Sequence, residues 1–146
     1  MTEPADEPST TAWPILVALA LVAIVVATVT GLRALRGDEV RAEAGVDRAV
    51  VGQNDALQRQ DYPDFIRFTC AGQQRSEETV LAEQRQSSQA KGARIVDDVR
   101  GPVIDGDRAR ATVVYHFENS ADDKITTEMS FVREDGEWKV CSPGPR

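Results

Sequence analysis

Residues 9–32 form a continuous stretch without a single charged side chain, and this stretch constrains the chain more than any other. Within it, Ile15–Thr30 (ILVALALVAIVVATVT) is apolar apart from two threonines. Trp13–Leu32 contains 20 residues, which as a helix span about 30 Å, the thickness of the hydrocarbon core of a bilayer. A buried soluble helix is the alternative, but a chain of 146 residues has no core large enough to surround it. The sequence therefore predicts a transmembrane helix over residues 13–32.

The flanks of this segment indicate how it meets the membrane. Trp13 lies where an aromatic anchor at the headgroup level is expected, and Arg33 and Arg36 follow the apolar run, so these three residues are predicted at the membrane interface. Residues 1–12 contain no Lys or Arg, and no small-residue cleavage site follows the run, which favours an uncleaved anchor over a signal peptide. The same residues are acidic and rich in Pro, Ser and Thr, so we expect a disordered tail.

The rest of the chain is predicted to be a short juxtamembrane linker, residues 33–37, and one domain, residues 38–146. Residues 33–146 contain 17 basic and 21 acidic side chains, a net charge of 17 − 21 = −4. Nucleic-acid binding requires a basic surface. This balance therefore argues against a nucleic-acid partner.

Three helices are predicted in the first half of the domain. The first covers residues 38–60, and its apolar face contains one glutamine; this face is formed by Val46, Ala49, Val50, Gln53 and Leu57. A proline at position 63 is suited to open a second helix over residues 63–70, with Asp61 as its cap. Ser76 is expected to cap a third helix, which ends at Lys91-Gly92.

Four strands follow, and turns of the Asp-Gly type separate the first from the second and the third from the fourth. The clearest is residues 108–118, in which apolar and polar side chains alternate as in a half-buried antiparallel strand. The other three are predicted at residues 93–104, 124–134 and 136–142, with a loop at 119–123. Helices that precede an antiparallel sheet indicate an α+β fold, here a cone-shaped roll in which three helices pack on a curved four-stranded meander.

This order of elements, with the ending DGEWKVCSP, resembles the nuclear transport factor 2-like (NTF2-like, cystatin-like α+β roll) domains. It is most similar to those of actinobacterial single-pass membrane proteins, akin to the envelope proteins associated with mammalian-cell-entry transporters. The resemblance covers residues 38–142 and rests on Asp61, Cys70, the GDRARATVVY strand and the Trp138–Cys141 segment. It implies an assembly or accessory role in the cell envelope.

In proteins of this kind a cysteine after the second helix commonly bonds one in the last strand, which implies a disulfide between Cys70 and Cys141. These are the only two cysteines of the chain, and a bond would join the helices to the sheet. Two buried free thiols are the alternative, as is common in reducing compartments. Two thiols and one distant histidine are too few ligands for a metal, so no metal site and no cofactor are expected.

The cysteines and the basic residues disagree about orientation. Arg33, Arg36, Arg41 and Arg48 follow the apolar run, which by the positive-inside rule places the domain in the cytoplasm. A disulfide instead requires an oxidising compartment, and long domains cross the membrane largely regardless of charge. We therefore expect a single-pass protein of the cytoplasmic membrane with an extracytoplasmic C-terminal domain, the cytoplasmic arrangement being the alternative.

Catalytic residues are not evident. Some NTF2-like relatives hold a catalytic carboxylate in the cone, and Asp61, Tyr62 and Asp64 at a helix end, with Tyr115 and His116 on a strand, are the candidates here. Asp61 is better explained as a helix cap, Tyr115 as a core residue and His116 as a solvated side chain on a polar face.

The sequence thus predicts a non-catalytic binding or assembly module of the envelope. Its partners are the bilayer, through residues 13–32, and envelope proteins or a second copy, through the sheet face. The alternative is a small hydrophobic-ligand binder or an isomerase- or cyclase-like enzyme that uses the cone cavity.

Overall fold

The structure, a computed structural model, describes residues 12–143, except for the side chains of residues 12–15 and 33–36. The predicted tail therefore lies outside the described residues apart from Ala12, and so do the side chains of Trp13, Arg33 and Arg36. The chain divides into two compact units between Asp38 and Glu39.

The first unit consists of the N-terminal part of one long helix, α1 (Ala12–Gln58). By length and composition this helix can cross a membrane: an 18-residue window within it has a mean hydropathy of 2.3, and none of that window is buried. Its two threonines, Thr28 and Thr30, donate their hydroxyl hydrogen bonds to backbone carbonyls three and four residues earlier. These polar groups are therefore satisfied within the helix, as a lipid environment requires.

The predicted linker at residues 33–37 is also helical, and no break separates it from residues 38–58. Its sequence, RALRG, contains strong helix formers and only one glycine, so the local propensity favours continuation.

Two further helices lie in the second unit, α2 (Tyr62–Arg67) and α3 (Glu77–Lys91), with a 3-10 turn at Ala71–Gln73 between them. The predicted caps are confirmed: the Asp61 side chain accepts from the Asp64 N–H, and the Ser76 side chain accepts from the Thr79 N–H. The second helix ends three residues earlier than predicted. The chain then turns extended, and Thr69 forms a parallel bridge with Val140 at the end of the sheet.

The four predicted strands form one antiparallel sheet in the order β1 (Arg94–Asp105), β2 (Arg108–Phe117), β3 (Ser120–Glu134) and β4 (Glu137–Val140). The loop predicted at residues 119–123 is instead a two-residue turn, because β3 begins at Ser120. β1 has register shifts near Asp97 and near Gly101-Pro102. Such bulges increase twist and bend the sheet, which is curved.

One face of this sheet, called the inner face here, packs on the C-terminal half of α1. The contact buries small and β-branched side chains of the helix against the strands, namely Ala42, Val46, Ala49 and Val50 against Ala109, Ala111, Val113, Met129, Phe131, Trp138 and Val140. Two glycines of α1 allow the close approach: a Cβ at Gly45 would overlap the Trp138 ring, and a Cβ at Gly52 would overlap the Phe68 ring. A smaller cluster of Ala56, Phe65 and Val80 joins α1 to α2 and α3.

Candidate ligand-binding cavity

A cavity with a volume of about 570 Å³, partly open to solvent, lies among the described residues. Small-molecule sites commonly occupy about 300–1,000 Å³. The cavity lies among the helices rather than over the centre of the sheet. It is lined by Gln53, Leu57, Phe65, Thr69, Gln73, Arg75, Val80, Glu83, Gln84, Gln86, Ser87, Ala90, Lys91, Arg94, Ser142 and Pro143.

The space between α1 and the inner face of the sheet, where the cone cavity was expected, is almost filled. A void of only about 10 Å³ remains there, lined by residues that include Val50, Tyr115 and Met129. That is about the minimum for one water molecule. Core side chains therefore occupy the interior of the roll, and the room for a ligand lies at its helical side.

Two buried polar side chains line the cavity where α1 meets the chain after α2. Gln53 is 6% exposed and Thr69 is 1% exposed. The Gln53 Nε2 donates to Thr69 Oγ1 at 2.8 Å, and Thr69 Oγ1 donates to the Phe65 carbonyl at 2.8 Å. Because each group has a partner, the pair can remain buried and hold α1 against this segment.

Arg94, at the start of β1, supplies a half-buried cation to the lining. Its Nε donates to Asn54 Oδ1 at 2.7 Å, and Asn54 Nδ2 donates to the Arg94 carbonyl at 3.1 Å. Burial lowers the pKa of this guanidinium from its ordinary value. Arginine nevertheless stays protonated in proteins, so a positive charge is held in a partly desolvated place.

The other charged groups of the lining are Arg75, Glu83 and Lys91. Arg75 and Glu83 form a two-pronged ion pair, with N–O distances of 2.6 and 2.7 Å. The Lys91 ammonium lies 4.9 Å from the centre of the Phe117 ring. The described residues of the lining therefore include three cations and one carboxylate.

The disulfide expected between Cys70 and Cys141 is present, with a Cα–Cα distance of 5.2 Å. Cys141 is one residue past the end of β4 rather than inside it, and its N–H donates to the Ser130 carbonyl. Backbone hydrogen bonds join the same two segments: Cys70 N–H donates to the Val140 carbonyl and Val140 N–H to the Phe68 carbonyl. The bridge thus fixes the segment that leads into Ser142 and Pro143 of the cavity wall.

The acidic candidates for catalysis are paired elsewhere. Arg59 lies between Asp55, Asp61 and Asp64, with N–O distances of 2.7 to 3.0 Å. Hydrogen bonds from the Asp64 N–H and from Arg59 lower the pKa of the Asp61 carboxyl, whereas a general base at neutral pH needs a raised pKa. None of these acids lines the cavity.

His116 was predicted to be a solvated side chain, but the structure places it differently. It is only 14% exposed, and its Nδ1 lies 2.8 Å from Asp97 Oδ2, while Lys124 Nζ contacts Asp97 Oδ1 at 3.0 Å. The bulge in β1 explains the contact, because the extra residue at Asp97 places both Asp97 and Asp98 on the outer face of the sheet. Tyr115, as predicted, is a core residue and is 3% exposed.

Sequence reasoning did not identify the cavity residues. The usable signal was Gln53, a glutamine on the apolar face of a predicted helix, since a buried amide requires a partner. Thr69, Gln84 and Arg94 carry no comparable pattern, because they converge only when three helices and a strand assemble.

No protein-family model matches the sequence, and no curated protein matches it. Among solved structures, a protein of unknown function from Mycobacterium tuberculosis is similar in fold, with a TM-score of 0.51 and 12% identity over 71% of this chain and 70% of that one. An NTF2-like protein of unknown function from Shewanella oneidensis has a TM-score of 0.47, with 11% identity over 68% and 93%. One from Pseudomonas putida has a TM-score of 0.47, with 16% identity over 69% and 82%.

Two of these neighbours are NTF2-like proteins of unknown function, each with a TM-score of 0.47, and the third is a protein of unknown function with a TM-score of 0.51. The likeness is one of fold alone. The link to actinobacterial membrane proteins and to mammalian-cell-entry systems stays a prediction.

Proposed function

We propose that this protein is a membrane-anchored, non-catalytic binding module whose domain faces the space outside the cytoplasmic membrane. The observation that carries the binding role is the cavity of about 570 Å³ among the helices. Among the described residues of its lining, the only carboxylate is Glu83, which is held by Arg75, so these residues offer groups for recognition rather than a base for proton transfer.

The membrane anchor is supported by the apolar part of α1. Its large side chains from Leu16 to Leu32 are exposed, and monomeric soluble proteins rarely leave an apolar surface of that extent uncovered. The hydrogen-bonded hydroxyls of Thr28 and Thr30 add to this, because they need no water. Trp13, Arg33 and Arg36 are the residues that we place at the membrane interface.

The orientation is supported by the Cys70–Cys141 disulfide, because such bonds persist in oxidising compartments and are rare in the cytoplasm. The arginines that follow the apolar segment favour the opposite orientation. We give the disulfide more weight, since the positive-inside rule is counted over short loops and this domain is long.

Envelope proteins or a second copy are the partners that we assign to the outer face of the sheet. Ile95 and Val103 lie there, opposite His116 and Arg110, and are 42% and 63% exposed. They are the apolar side chains through which we expect such a contact to form.

Topology can be tested with a membrane-impermeant maleimide on intact cells expressing the full chain. Two reporters share a Cys70→Ser, Cys141→Ser background: Ser120→Cys, exposed at the start of β3, and Thr10→Cys, before the apolar segment. We expect Ser120→Cys to be labelled on intact cells and Thr10→Cys only after lysis. The reverse pattern would establish the cytoplasmic arrangement and reject the proposal.

The native cysteines provide an independent check in the unmodified chain. We expect no labelling of intact cells until an impermeant reductant opens the bridge, and labelling of Cys141, the partly exposed thiol, afterwards. Thiols that react only after lysis, without reductant, would contradict an oxidised domain outside the membrane.

A further inference from the structure

We propose that one ordered water molecule occupies the void between α1 and the inner face of the sheet, where it accepts a hydrogen bond from Tyr115 and donates one to Gln53. The void, of about 10 Å³, is lined by these two residues and by Val50, Asn54, Arg94, Val96, Val113 and Met129. That volume is about the minimum that holds one water. The water is then a fixed part of the fold, independent of any ligand in the larger cavity.

The Tyr115 hydroxyl needs a hydrogen-bond partner, because a buried tyrosine hydroxyl usually has one. The side chain is 3% exposed, and no group among the described residues bonds its oxygen. Gln58 Nε2 is the one fully enclosed side-chain polar atom of the described residues that has no partner, so a water-sized sphere reaches the Tyr115 oxygen. Tyr115 lines the void and not the larger cavity, so the access is from the void. Burial raises the pKa of this hydroxyl, which is therefore protonated at neutral pH and can donate.

The Gln53 amide supplies an acceptor to the same void. Thr69 Oγ1 has one hydrogen, which it donates to the Phe65 carbonyl, so toward Gln53 it can only accept. This fixes the amide with Nε2 on the Thr69 side. The Gln53 Oε1 has no partner among the described residues, although the side chain is only 6% exposed. Because Gln53 lines the void, a water there can donate to Oε1.

Asn54 supplies a third partner for the water. Its Oδ1 accepts from Arg94 Nε, and one hydrogen of its Nδ2 goes to the Arg94 carbonyl. The second hydrogen of Nδ2 is left for the water, which then makes about three hydrogen bonds, the usual number for a buried water. The water therefore joins β2, through Tyr115, to two adjacent residues of α1.

A nuclear Overhauser effect between water and a methyl group tests this inference. The chain contains only two methionines, Met1 and Met129, so methyl-labelled methionine gives two signals, and the Met129→Leu variant assigns them. Met129 lines the void and is 2% exposed. For the full chain in nanodiscs of deuterated lipid, we expect a cross-peak between the Met129 methyl group and the water resonance, with the sign of a long-lived water.

Val113→Ile separates a bound water from the Tyr115 hydroxyl, whose proton exchanges with solvent and can give a cross-peak at the same frequency. The added methyl group fills the void and leaves Tyr115 in place, so the cross-peak should disappear. Val132→Ile, on the outer face of β3 and outside the lining, is the matched control and should keep it. If thermal unfolding shows that Val113→Ile does not fold, Val50→Ile fills the void from α1 instead.

Two results would overturn the inference. If the folded wild-type chain gives no cross-peak at any mixing time, the void is dry. If the cross-peak persists in a folded void-filling variant, it arises from the Tyr115 hydroxyl. The wild-type chain also decides by itself, because acid and base catalyse hydroxyl exchange but do not alter a bound water: a cross-peak of constant intensity from mildly acidic to mildly basic pH supports the water, and a several-fold change rejects it.

Discussion

The Trp138 ring of β4 lies so close to Gly45 of α1 that a methyl group at Gly45 would overlap its Cδ1 atom. At this point the backbone of α1 is in direct contact with the Trp138 ring. Arg133 covers the Trp138 ring, its guanidinium carbon lying 5.4 Å from the ring centre. This contact therefore sets the spacing between α1 and the last strand.

Gly45→Ala is expected to destabilise the domain, although alanine favours a helix by about 1 kcal/mol over glycine. Overpacking a core costs about 1–3 kcal/mol, and Trp138 can move only by disturbing its neighbours. The free energy of unfolding, followed by near-ultraviolet circular dichroism of the full chain in nanodiscs, measures the change. Gly37→Ala, also in α1 but with nothing within 4 Å, is the control and should be neutral or stabilising. If Gly45→Ala instead stabilises the domain, the Trp138 ring can move aside at little cost.

The Cys70–Cys141 bond is expected to contribute about 4 kcal/mol to the free energy of unfolding, because it closes a long loop in the unfolded chain. The two cysteines are 71 residues apart. The wild-type chain under oxidising conditions is compared with the same chain after reduction and with the Cys70→Ser, Cys141→Ser variant. The reduced wild-type chain and the double-serine variant should have the same free energy of unfolding. A loss below about 1 kcal/mol would mean that the backbone pairing of Val140 holds the segment unaided.

Thr69→Val should cost about 1–3 kcal/mol, because it leaves the buried Gln53 amide without its acceptor. Adding Gln53→Leu should recover part of that loss, since both polar partners are then replaced by apolar groups. A double-mutant cycle on the free energy of unfolding measures the coupling. Thr126→Val, exposed on β3, is the matched control and should change little. Simple additivity of the two changes would contradict a direct Gln53–Thr69 bond.

The pH dependence of stability should include a contribution from Asp97. Hydrogen bonds from His116 and Lys124 lower the pKa of the Asp97 carboxyl below its ordinary value of 3.8. A depressed folded-state pKa gives stability that is complete above the unfolded pKa and is lost as the pH falls through the folded one. Asp97→Asn should therefore be less stable than wild type at pH 7, and the difference should shrink below about pH 4.

Denaturant unfolding between pH 7 and pH 2 measures this difference. Asp122→Asn, exposed on β3, serves as the control and should follow the wild-type curve. If the difference in free energy of unfolding between wild type and Asp97→Asn does not change with pH, the Asp97 carboxylate is not its source.

The elements that the sequence predicted well are those defined by local patterns. The strict alternation of residues 108–118 gave β2, and Asp61 and Ser76 could be assigned as caps because a cap depends on only a few neighbouring residues. The Cys70–Cys141 pair was accessible because the chain has only two cysteines.

The features that were missed depend on contacts between distant parts of the chain. Nothing in the sequence near Gly45 indicates that a ring from the last strand packs against it. The bulge at Asp97 changes which side chains share a face, and a bulge has no strong sequence signal. His116 was therefore assigned to solvent. The cavity likewise exists only where α1, α2 and α3 meet the start of β1.

The disulfide has a topological consequence. Its covalent ring runs from Cys70 to Cys141 and contains α3 and all four strands, whereas α1 and α2 lie outside it. A protease that cuts one peptide bond inside the ring leaves a single molecule, but a cut between α1 and α2 leaves α1 attached only by packing and hydrogen bonds. The cut molecule would then hold together only while Ala42, Val46, Ala49 and Val50 of α1 stay packed on the sheet, and loss of α1 would expose the core of a ring that stays closed.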